Sequence, residues 1–390
     1  MLLGAALFAA ACGDAPTAAE PGAQPAACED GALAAGMVEL GPSGFQLDER
    51  ALVPDGVNSY PLLQRVGEGK WHSVRDVLGQ ALTLRRPFVR TNAFMDGGDN
   101  PARLRDDDGS IREEGLQALD ALLAEAGRMQ VRLLLVLGNN WPDGGGAEAV
   151  VKAIAPGEDL PKDAFWSEPR ALAAQRAMIA AIVGRTNTVT GRPYADDPSI
   201  FAWELANEPA CTDEAWCDAE TLPRWAKQMG DAVREAGARQ PVAWGGAGYR
   251  GQFGEDLEAI ARSGAVDVLT LHVYARRLPA GDTGAREVLI ASVIDTASMV
   301  MRDRARLAER FAMPLLIEEL GYEPPRNAQD RDAERAHVLG SLLRVAAELR
   351  LPTFPWMIGE TDQPDDDGFL IRPEDTATVR ALTCGAAAKR

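Results

Sequence analysis

From about residue 44 onward, the sequence alternates short apolar runs with longer runs of helical periodicity, and this alternation limits the possible folds more than any other feature. Several of the short runs are almost continuously apolar, which is typical of strands that are buried on both faces of a parallel sheet. The runs with strand character lie at 56–60, 88–94, 131–139, 199–208, 241–248, 266–274, 313–321 and 352–359. Amphipathic helical patterns lie between them, for example at 113–129, 170–185 and 332–350.

Eight strand-and-helix units in one chain, with no internal linker, predict a protein of the α/β class that folds as a single (β/α)8 TIM barrel. We assign residues 41–390 to this domain, a length that leaves room for enlarged loops between the strands and the helices that follow them. A doubly wound open sheet is the alternative. Its phosphate-binding signatures are missing, since no GxGxxG follows the first strand and no GxxxxGK followed by Ser or Thr occurs in the chain.

The first 40 residues differ in composition from the rest of the chain. Residues 2–11 are an apolar run that ends at Cys12, far shorter than the about 20 residues that a membrane span needs. Such a run is typical of a cleaved export signal, and small residues directly before a cysteine resemble a bacterial lipoprotein signal. We predict a lipoprotein-like signal peptide at 1–12, lipidation of Cys12 and a flexible tether at 13–40, with the protein exported to the cell surface or secreted. A disordered Ala-rich tail is the alternative, since no Lys or Arg precedes Arg50.

The chain has five cysteines, and four remain if Cys12 carries lipid. An even number fits an oxidising compartment, where disulfides persist. Four cysteines allow three pairings. The separation of six positions between Cys211 and Cys217 favours a local bond, which leaves Cys28 to pair with Cys384. No CxxC occurs, which argues against structural zinc.

The chain carries a net charge of −18, with 40 Lys and Arg against 58 Asp and Glu. This balance opposes binding to nucleic acid or to anionic membranes, so we expect membrane association only through a lipid anchor. A neutral partner is easier to accommodate. Only three histidines occur, which leaves little for a His-rich metal site, and we expect no metal and no cofactor. Nothing in the sequence argues against a monomer.

Polar and aromatic residues collect at the carboxyl ends of the predicted strands, where barrel enzymes place their chemistry. Two of them, Glu208 and Glu319, are carboxylates on separate strands. The other residues at these ends are Arg90, Asn139, Asn140, Trp141, Asn207, His272, Tyr274 and Trp356. Glycoside hydrolysis needs one carboxylic acid that protonates the leaving oxygen and a second carboxylate that faces the anomeric carbon. The set therefore suits cleavage of a sugar chain, with aromatic rings as stacking faces.

The segments WELANEP (203–209) and LLIEELGY (315–322) resemble the two signature strands of glycoside hydrolase family 5, within clan A. NSYPLL (58–63), FVRTNAF (88–94), the NNW loop, the HVY strand and the Trp of the last strand follow in the family's order. The resemblance covers nearly the whole barrel and is greatest to the endo-β-1,4-mannanase subgroup. It implies a retaining, endo-acting hydrolase that cleaves β-1,4-mannosidic bonds in mannan, glucomannan or galactomannan by double displacement.

The resemblance also implies a role for each matching residue. Glu208 would be the general acid/base and Glu319 the nucleophile. The binding residues would be Arg90 and Tyr274 on the nucleophile, Asn207 on the sugar 2-hydroxyl, His272 and Trp356 around the −1 subsite, and Trp141 and Asn140 as further contacts. Beside Arg90 the nucleophile keeps a low pKa and stays ionised, whereas Glu208 must hold a proton near neutral pH.

Glu318 competes with Glu319 for the role of nucleophile. Alternation along a strand points adjacent side chains to opposite faces, so only one of the two can enter the site. We expect Glu319 in the site and Glu318 paired with a basic residue on a surrounding helix.

The chain departs from the mannanase pattern at positions near the expected substrate. Ala210 follows Asn-Glu-Pro where an Arg is usual, and the HVY strand continues with Ala275, Arg276 and Arg277 where Pro and then Trp are usual. These departures keep open a family 5 enzyme that acts on another glycan such as cellulose, or one that acts by transglycosylation. A non-catalytic carbohydrate-binding surface lipoprotein is an alternative of another class, although neither carboxylate is lost.

Overall fold

The structure is a computed structural model that describes residues 36–42, 44–248, 255–275, 283–325, 328, 330–360, 363–365 and 367–387. The side chains of 283–285 and 384–387 are not described. The predictions for the signal peptide, for Cys12 and for the Cys28–Cys384 bond therefore lie outside the described residues, as do Arg276 and Arg277.

Eight parallel strands lie on the eight predicted runs. They are β4 (Gly56–Asn58), β5 (Phe88–Asn92), β6 (Arg132–Val136), β7 (Ile200–Glu204), β8 (Val242–Ala243), β9 (Leu269–Ala275), β10 (Leu315–Tyr322) and β11 (Thr353–Pro355). They are buried almost throughout, as expected for strands that are covered on one face by helices and on the other by the barrel interior.

The strands close into a barrel. Strands β4 to β8 pair in sequence order, and β9, β10 and β11 pair in a second parallel set. The two sets meet where the backbone nitrogen of Trp244 donates to the carbonyl of Val268 at 3.1 Å. They meet again between β11 and β4, where the backbone nitrogen of Ile358 donates to the carbonyl of Asn58 at 3.0 Å. The predicted (β/α)8 barrel is confirmed.

Helices follow the strands and pack against the outside of the barrel. They are α1 (Leu62–Gly67), α2 (Trp71–Thr83), α3 (Glu113–Arg128), α4 (Gly146–Ile154), α5 (Pro169–Val183), α6 (Thr221–Glu235), α7 (Leu257–Ser263), α8 (Thr283–Arg310), α9 (Arg331–Glu348) and α10 (Thr376–Ala387). None of the helices in the described residues is long and apolar enough to cross a membrane.

The sequence marks where several helices begin and which face they bury. The side chain of Asp330 caps α9 by accepting a hydrogen bond from the backbone nitrogen of Ala333 at 2.9 Å. Pro169 is the first residue of α5, a position where its missing N–H costs nothing. In α3, buried Leu116, Leu119 and Leu123 recur at the spacing of one helical face, which packs on the barrel.

An antiparallel sheet that the sequence analysis did not predict precedes the barrel. It consists of β1 (Val38–Gly41), β2 (Gly44–Leu47) and β3 (Arg50–Ala51). Its Phe45 is buried, with its ring 5.4 Å from that of Phe201, which in turn lies 5.0 Å from Phe88 at the start of β5. The sheet therefore covers the amino-terminal end of the barrel. The tether predicted at 13–40 extends too far, because β1 begins at Val38.

Arg86, directly before β5, fastens the same end of the barrel. Its side chain is fully buried and donates to the backbone carbonyls of Gly56, Thr353 and Leu382 at 3.0 to 3.3 Å. Asp55 lies 3.6 Å away and accepts from the backbone nitrogen of Thr353. The first and last barrel strands and α10 are thus joined at one guanidinium.

Candidate active site

The carboxyl ends of the barrel strands bring the predicted site residues to one rim. Parallel strands in a closed barrel all end on the same side, so residues far apart in sequence meet there. The side chains come from β5, β9, β10 and the segments after β6, β7 and β11, and they are Arg90, Asn140, Trp141, Asn207, Glu208, His272, Tyr274, Glu319 and Trp356. The site is therefore built on the ends of buried strands and on the segments that directly follow them.

Glu319 is held from two sides by hydrogen-bond donors. Arg90 donates from Nη1 to its Oε1 at 2.6 Å, and the hydroxyl of Tyr274 donates to its Oε2. Only 3% of Glu319 is exposed. Burial and then the charge of Glu319 raise the pKa of Tyr274 well above its usual range, so the phenol keeps the proton that it donates. Arg90 and Tyr274 together fix the position of this buried carboxylate.

Arg90 is the centre of a buried network that the sequence analysis did not identify. It forms a two-pronged ion pair with Glu204 of β7, with both N–O distances at 2.7 Å. It also donates to the side-chain oxygens of Asn58 at 3.1 Å and Asn207 at 2.7 Å. Burial lowers the pKa of Arg90, but the charges of Glu204 and Glu319 outweigh it and raise the pKa well above the usual value. The guanidinium is fixed in charge and in direction.

The sequence contains one feature that could have identified Glu204, a charged residue within an otherwise apolar strand. It lies in the run IFAWE of β7, every residue of which is buried. A carboxylate in such a strand needs a cation opposite it. The sequence analysis considered the strand ends and left this position out.

The backbone at Glu208 has a left-handed conformation, with φ of 47°. Such a conformation is costly for a residue with a side chain and is concentrated at functional sites. The backbone nitrogen of Glu208 donates to the carbonyl of Gly245 at 2.7 Å. At Gly245, with φ of 85°, an added Cβ would lie 1.9 Å from the carbonyl oxygen of Ala206, so only glycine fits this close approach.

The side chain of Glu208 accepts hydrogen bonds from two rings. Its Oε1 lies 2.8 Å from Nδ1 of His272, and its Oε2 accepts from Nε1 of Trp141 at 2.7 Å. Burial raises the pKa of Glu208, but His272, Trp141 and the charge of Arg90 outweigh burial and lower the pKa to about 2. The expectation that Glu208 itself holds a proton near neutral pH is wrong for the free protein, because His272 is the stronger proton acceptor.

His272 lies buried against both carboxylates. It is 1% exposed, and its Nδ1 faces Glu208 at 2.8 Å and Oε2 of Glu319 at 3.3 Å. Burial lowers the pKa of His272, but the charge of Glu319, the hydrogen bond with Glu208 and the nearby carboxylate of Glu318 raise it well above its usual range. The ring is therefore an imidazolium at neutral pH, and the proton expected on Glu208 lies one hydrogen bond away.

Glu318 also enters the barrel interior, and the expectation that it pairs with a helix is wrong. Leu271 pairs with Ile317, but the next residue, His272, pairs with Glu319, so β10 has a bulge of one residue at Glu318. A bulge re-aims side chains and suspends the alternation on which the expectation rested. Glu318 is fully buried, with its Oε2 3.5 Å from Nε2 of His272. Burial and then the charge of Glu204 raise the pKa of Glu318 to about 7.

The residues around this centre offer aromatic and amide surfaces. Trp356 stacks on Tyr60 with ring centroids 5.9 Å apart and an interplanar angle of 8°. Trp141 is 38% exposed, and Nζ of Lys162 lies 5.8 Å from the centroid of its ring. Lys162 also donates to Oδ1 of Asn140 at 2.6 Å. Tyr60 and Lys162 are additions to the predicted set.

Asn207 is oriented by its neighbours. Its Oδ1 accepts from Arg90 and its Nδ2 donates to Oδ1 of Asn139 at 3.1 Å. The loop that follows contains the predicted disulfide between Cys211 and Cys217. Oδ2 of Asp163 accepts from the backbone nitrogens of Thr212 and Asp213 at 2.7 and 2.9 Å and fastens this loop.

The two carboxylates lie close together. One oxygen of Glu208 and one of Glu319 lie within 4.8 Å of each other, and Nδ1 of His272 lies within the same distance of both. Carboxyl groups about 5–5.5 Å apart are typical of glycosidases that retain the anomeric configuration. Arg90 lies against Glu319 and His272 against Glu208, and these cations favour an acid–base cluster over a metal site. The barrel and this pair define the protein as one of the glycoside hydrolase class.

Comparison with known proteins gives the family. A family model described as GH family 5 beta-mannosidase-like matches residues 96–339, and the chain belongs to glycoside hydrolase family 5. Mannan endo-1,4-beta-mannosidase 8 of Oryza sativa subsp. japonica is 31% identical over 305 residues, which cover 73% of this chain and 79% of that protein. Mannan endo-1,4-beta-mannosidase 1 of Solanum lycopersicum is 27% identical over 355 residues, which cover 86% and 87%.

A solved structure has the same fold. The crystal structure of the endo-1,4-beta-mannanase from Rhizomucor miehei aligns with a TM-score of 0.73 at 23% sequence identity, covering 90% of this chain and 99% of that one. The barrel predicted from the alternation of strands and helices is thus the barrel of that enzyme.

Proposed function

We propose that this protein is a retaining, endo-acting β-1,4-mannanase that hydrolyses mannan, glucomannan or galactomannan by double displacement. The observation that carries the proposal is the pair Glu208 and Glu319, with one oxygen of each within 4.8 Å at the carboxyl end of the barrel. The printed names of the relatives, mannan endo-1,4-beta-mannosidases, support the choice of mannan.

In the first step Glu319 is the nucleophile. One of its carboxylate oxygens attacks the anomeric carbon while the bond from that carbon to the leaving oxygen breaks. Glu208 receives the proton from Nδ1 of His272 and passes it to the leaving oxygen, so Glu208 is again ionised and His272 is neutral in the intermediate. In the second step Glu208 accepts a proton from water as the water attacks the anomeric carbon, which releases Glu319.

The proton on His272 is coupled to the charge of Glu319. That charge is the largest favourable contribution to the raised pKa of His272. When Glu319 becomes an ester of the sugar, its negative charge disappears and the proton is held less tightly. The Glu208–His272 pair therefore changes from proton donor to proton acceptor when the second step requires it.

Binding of the sugar would rely on stacking and hydroxyl hydrogen bonds. Trp356 and Trp141 present partly exposed rings near the two carboxylates, and Asn207 adds a partly exposed amide group. Asn140 is only 1% exposed and accepts a hydrogen bond from Lys162. Stacking and amide contacts need no charge on the ligand, which agrees with a chain of net charge −18 acting on a neutral polysaccharide.

Chemical rescue tests the two roles separately. With an aryl β-mannobioside and azide, we expect Glu319→Ala to give the α-glycosyl azide, because azide replaces the nucleophile in one displacement. Glu208→Ala should give the β-glycosyl azide, because azide attacks the intermediate on Glu319. If each variant gave the product expected of the other, the roles of Glu208 and Glu319 would be reversed. If azide rescued neither variant although both were folded, the assignment of the two catalytic roles would be rejected.

Product size and substrate panel test the rest of the proposal. An endo-acting enzyme lowers the viscosity of galactomannan before much reducing sugar appears, whereas mannose as the first product would indicate exo action, the alternative that the beta-mannosidase-like family description keeps open. Cellulose and mixed-linkage β-glucan in parallel assays test the other-glycan alternative. Transfer products longer than the substrate would indicate transglycosylation. Binding of the glycan without cleavage would indicate a non-catalytic protein.

We further propose that the protein is exported and is anchored through lipid on Cys12. The bond between Cys211 and Cys217 supports an oxidising compartment. Expression of the full chain with Cys12→Ser should move the protein from the detergent phase to the aqueous phase in a bacterial host. An unchanged distribution would contradict the anchor.

A further inference from the structure

Glu318 has no part in the reaction described above, although it lies directly against His272. It is 0% exposed, so it cannot touch a polysaccharide in the cleft. Within the described part of the chain, neither of its carboxylate oxygens has a hydrogen-bond partner at normal distance. The cationic nitrogen that it faces is Nε2 of His272, 3.5 Å from its Oε2. A buried carboxylate in such surroundings is costly to the fold, which raises the question of what it does.

The groups that face Glu318 come from three other strands of the barrel. Glu204 of β7 repels it, and Arg90 of β5 and His272 of β9 attract it. Arg90 is already fully engaged, since its nitrogens donate to Glu204 and Glu319 and to two Asn side chains. His272 is therefore the cation whose protonation Glu318 is placed to influence.

We propose that Glu318 is a positioning residue that orients His272 through Nε2 and keeps on that ring the proton that Glu208 delivers to the leaving oxygen. The proposal rests on the proposed function in that it assigns Glu208 as the acid. Glu318 acts through His272 and touches neither substrate nor reacting atoms.

The geometry gives Glu318 this role because the two nitrogens of His272 face carboxylates on opposite sides. Nδ1 lies 2.8 Å from Glu208 and Nε2 lies 3.5 Å from Glu318. Only the doubly protonated ring donates from both nitrogens, since a neutral ring presents one donor and one acceptor. A carboxylate behind a histidine fixes the orientation of the ring and stabilises its cationic form, as in other acid–base sites.

The bulge in β10 is what makes the arrangement possible. Without the extra residue, regular alternation would turn Glu318 away from the face that holds Glu319. With it, two consecutive carboxylates reach the interior, one to Arg90 and Tyr274 and the other to His272. The nucleophile and the group that retains the proton are therefore supplied by one strand.

Glu318→Gln tests the proposal, because it keeps the shape of the side chain and removes its charge. Nitrogen NMR of protein labelled in histidine reads the ring directly, and the chain has only three histidines, so His72 and His337 serve as internal references. We expect the pKa of His272 to fall by about one to two units in the variant, the usual effect of removing one opposite charge at this distance. The matched control is Asp120→Asn. Asp120 is a fully buried carboxylate in α3 that pairs with Arg185, in the loop before β7.

Kinetics should follow the same direction. The basic limb of the profile of kcat/KM against pH should move to lower pH by about the same one to two units, because the pair loses its proton earlier. KM at the optimum should stay within twofold, since Glu318 does not touch the substrate. Asp120→Asn should leave the basic limb where it is. Equal loss of kcat at every pH, with no shift, would indicate a merely structural role and overturn the proposal.

Further variants and the wild type keep the test decisive. Glu318→Asp keeps the charge and should keep the ring cationic at neutral pH, with a smaller shift. If neither variant folds, the wild type at pH 8 must still show both nitrogens of His272 protonated, and a neutral ring there would contradict the proposal. The NMR measurement needs no substrate. An inactive protein with the expected shift would therefore reject the proposed function alone, whereas an active one without the shift would reject only the role of Glu318.

Discussion

Two buried arginines, Arg86 and Arg90, lie four positions apart at opposite ends of the barrel and have opposite surroundings. Arg86 donates mainly to backbone carbonyls, and its carboxylate neighbour Asp55 is 3.6 Å away. Arg90 donates only to side chains, among them Glu204 and Glu319 at 2.6 to 2.7 Å.

The pKa values of the two arginines are shifted in opposite directions, because the carboxylates around them differ. Burial lowers the pKa of Arg86, and the charge of Asp55 only partly opposes it. At Arg90 burial also acts to lower the pKa, but the neighbouring carboxylates raise it well above the usual value. One end of the barrel uses a guanidinium to join strands, and the other uses it to hold charge in position. A buried charge is therefore no indication of function until its partners are known.

The largest expected effect is on activity at the carboxyl end. Arg90→Lys keeps the positive charge but loses the planar fork that spans Glu204, Glu319 and Asn207. We expect kcat/KM on galactomannan to fall by about 10²- to 10³-fold, comparable to the loss of a preorganised donor in other active sites. Thermal unfolding should be measured alongside. If the variant kept more than a tenth of the activity, Arg90 would have a mainly structural role, like Arg86.

The matching change at the other end should affect stability. In Arg86→Lys, an ammonium cannot reach the carbonyls of Gly56, Thr353 and Leu382 together. We expect the free energy of unfolding to fall by about 1–3 kcal/mol, since buried acceptors lose their donors. Denaturant titration measures this change, and kcat/KM of the folded fraction should match wild type. Loss of activity without loss of stability would break the comparison.

A smaller effect should appear in the pH dependence of stability. The pKa of Glu208 in the folded protein is about 2, below the ordinary value of 4.5. A depressed carboxyl pKa contributes stability that is present above the unfolded value and is lost as pH falls through the folded one. The difference in melting temperature between wild type and Glu208→Gln should therefore shrink from pH 4.5 to pH 2.

Arg86→Lys is the control for this measurement, because neither side chain titrates in that window. Its difference in melting temperature from wild type should stay constant between pH 4.5 and pH 2. A constant difference for Glu208→Gln as well would mean that Glu208 is not held ionised by His272 and Trp141.

The barrel and the pair of carboxylates could be predicted because they depend on local sequence. Strands buried on both faces produce continuous apolar runs, so all eight were visible, even β8, whose regular part is only Val242–Ala243. The sheet of β1 to β3 was missed because its strands are two to four residues long and show little alternation. The packing of its Phe45 on Phe201 is visible only in three dimensions.

Within the site, the structure brings the predicted residues together, but it differs from the prediction in the location of the proton and in the direction of the Glu318 side chain. The residues at the strand ends do meet, but the proton lies on His272 and not on Glu208, because a pKa depends on neighbours from other strands. Glu204 was left out because it lies within a strand and not at its end, and its pairing with Arg90 joins residues 114 positions apart. No local pattern records such a distance.

The sequence by itself determined the alternation that closes the barrel, the rim at which the chemistry collects and the two carboxylates that would carry it. Only the tertiary structure decided which way Glu318 points, since one extra residue in β10 cancels the alternation on which any sequence argument depends. It likewise decided the function of each buried arginine. The physical reason is the same in both cases: the energy of a buried charge is set by partners that the fold brings from other strands.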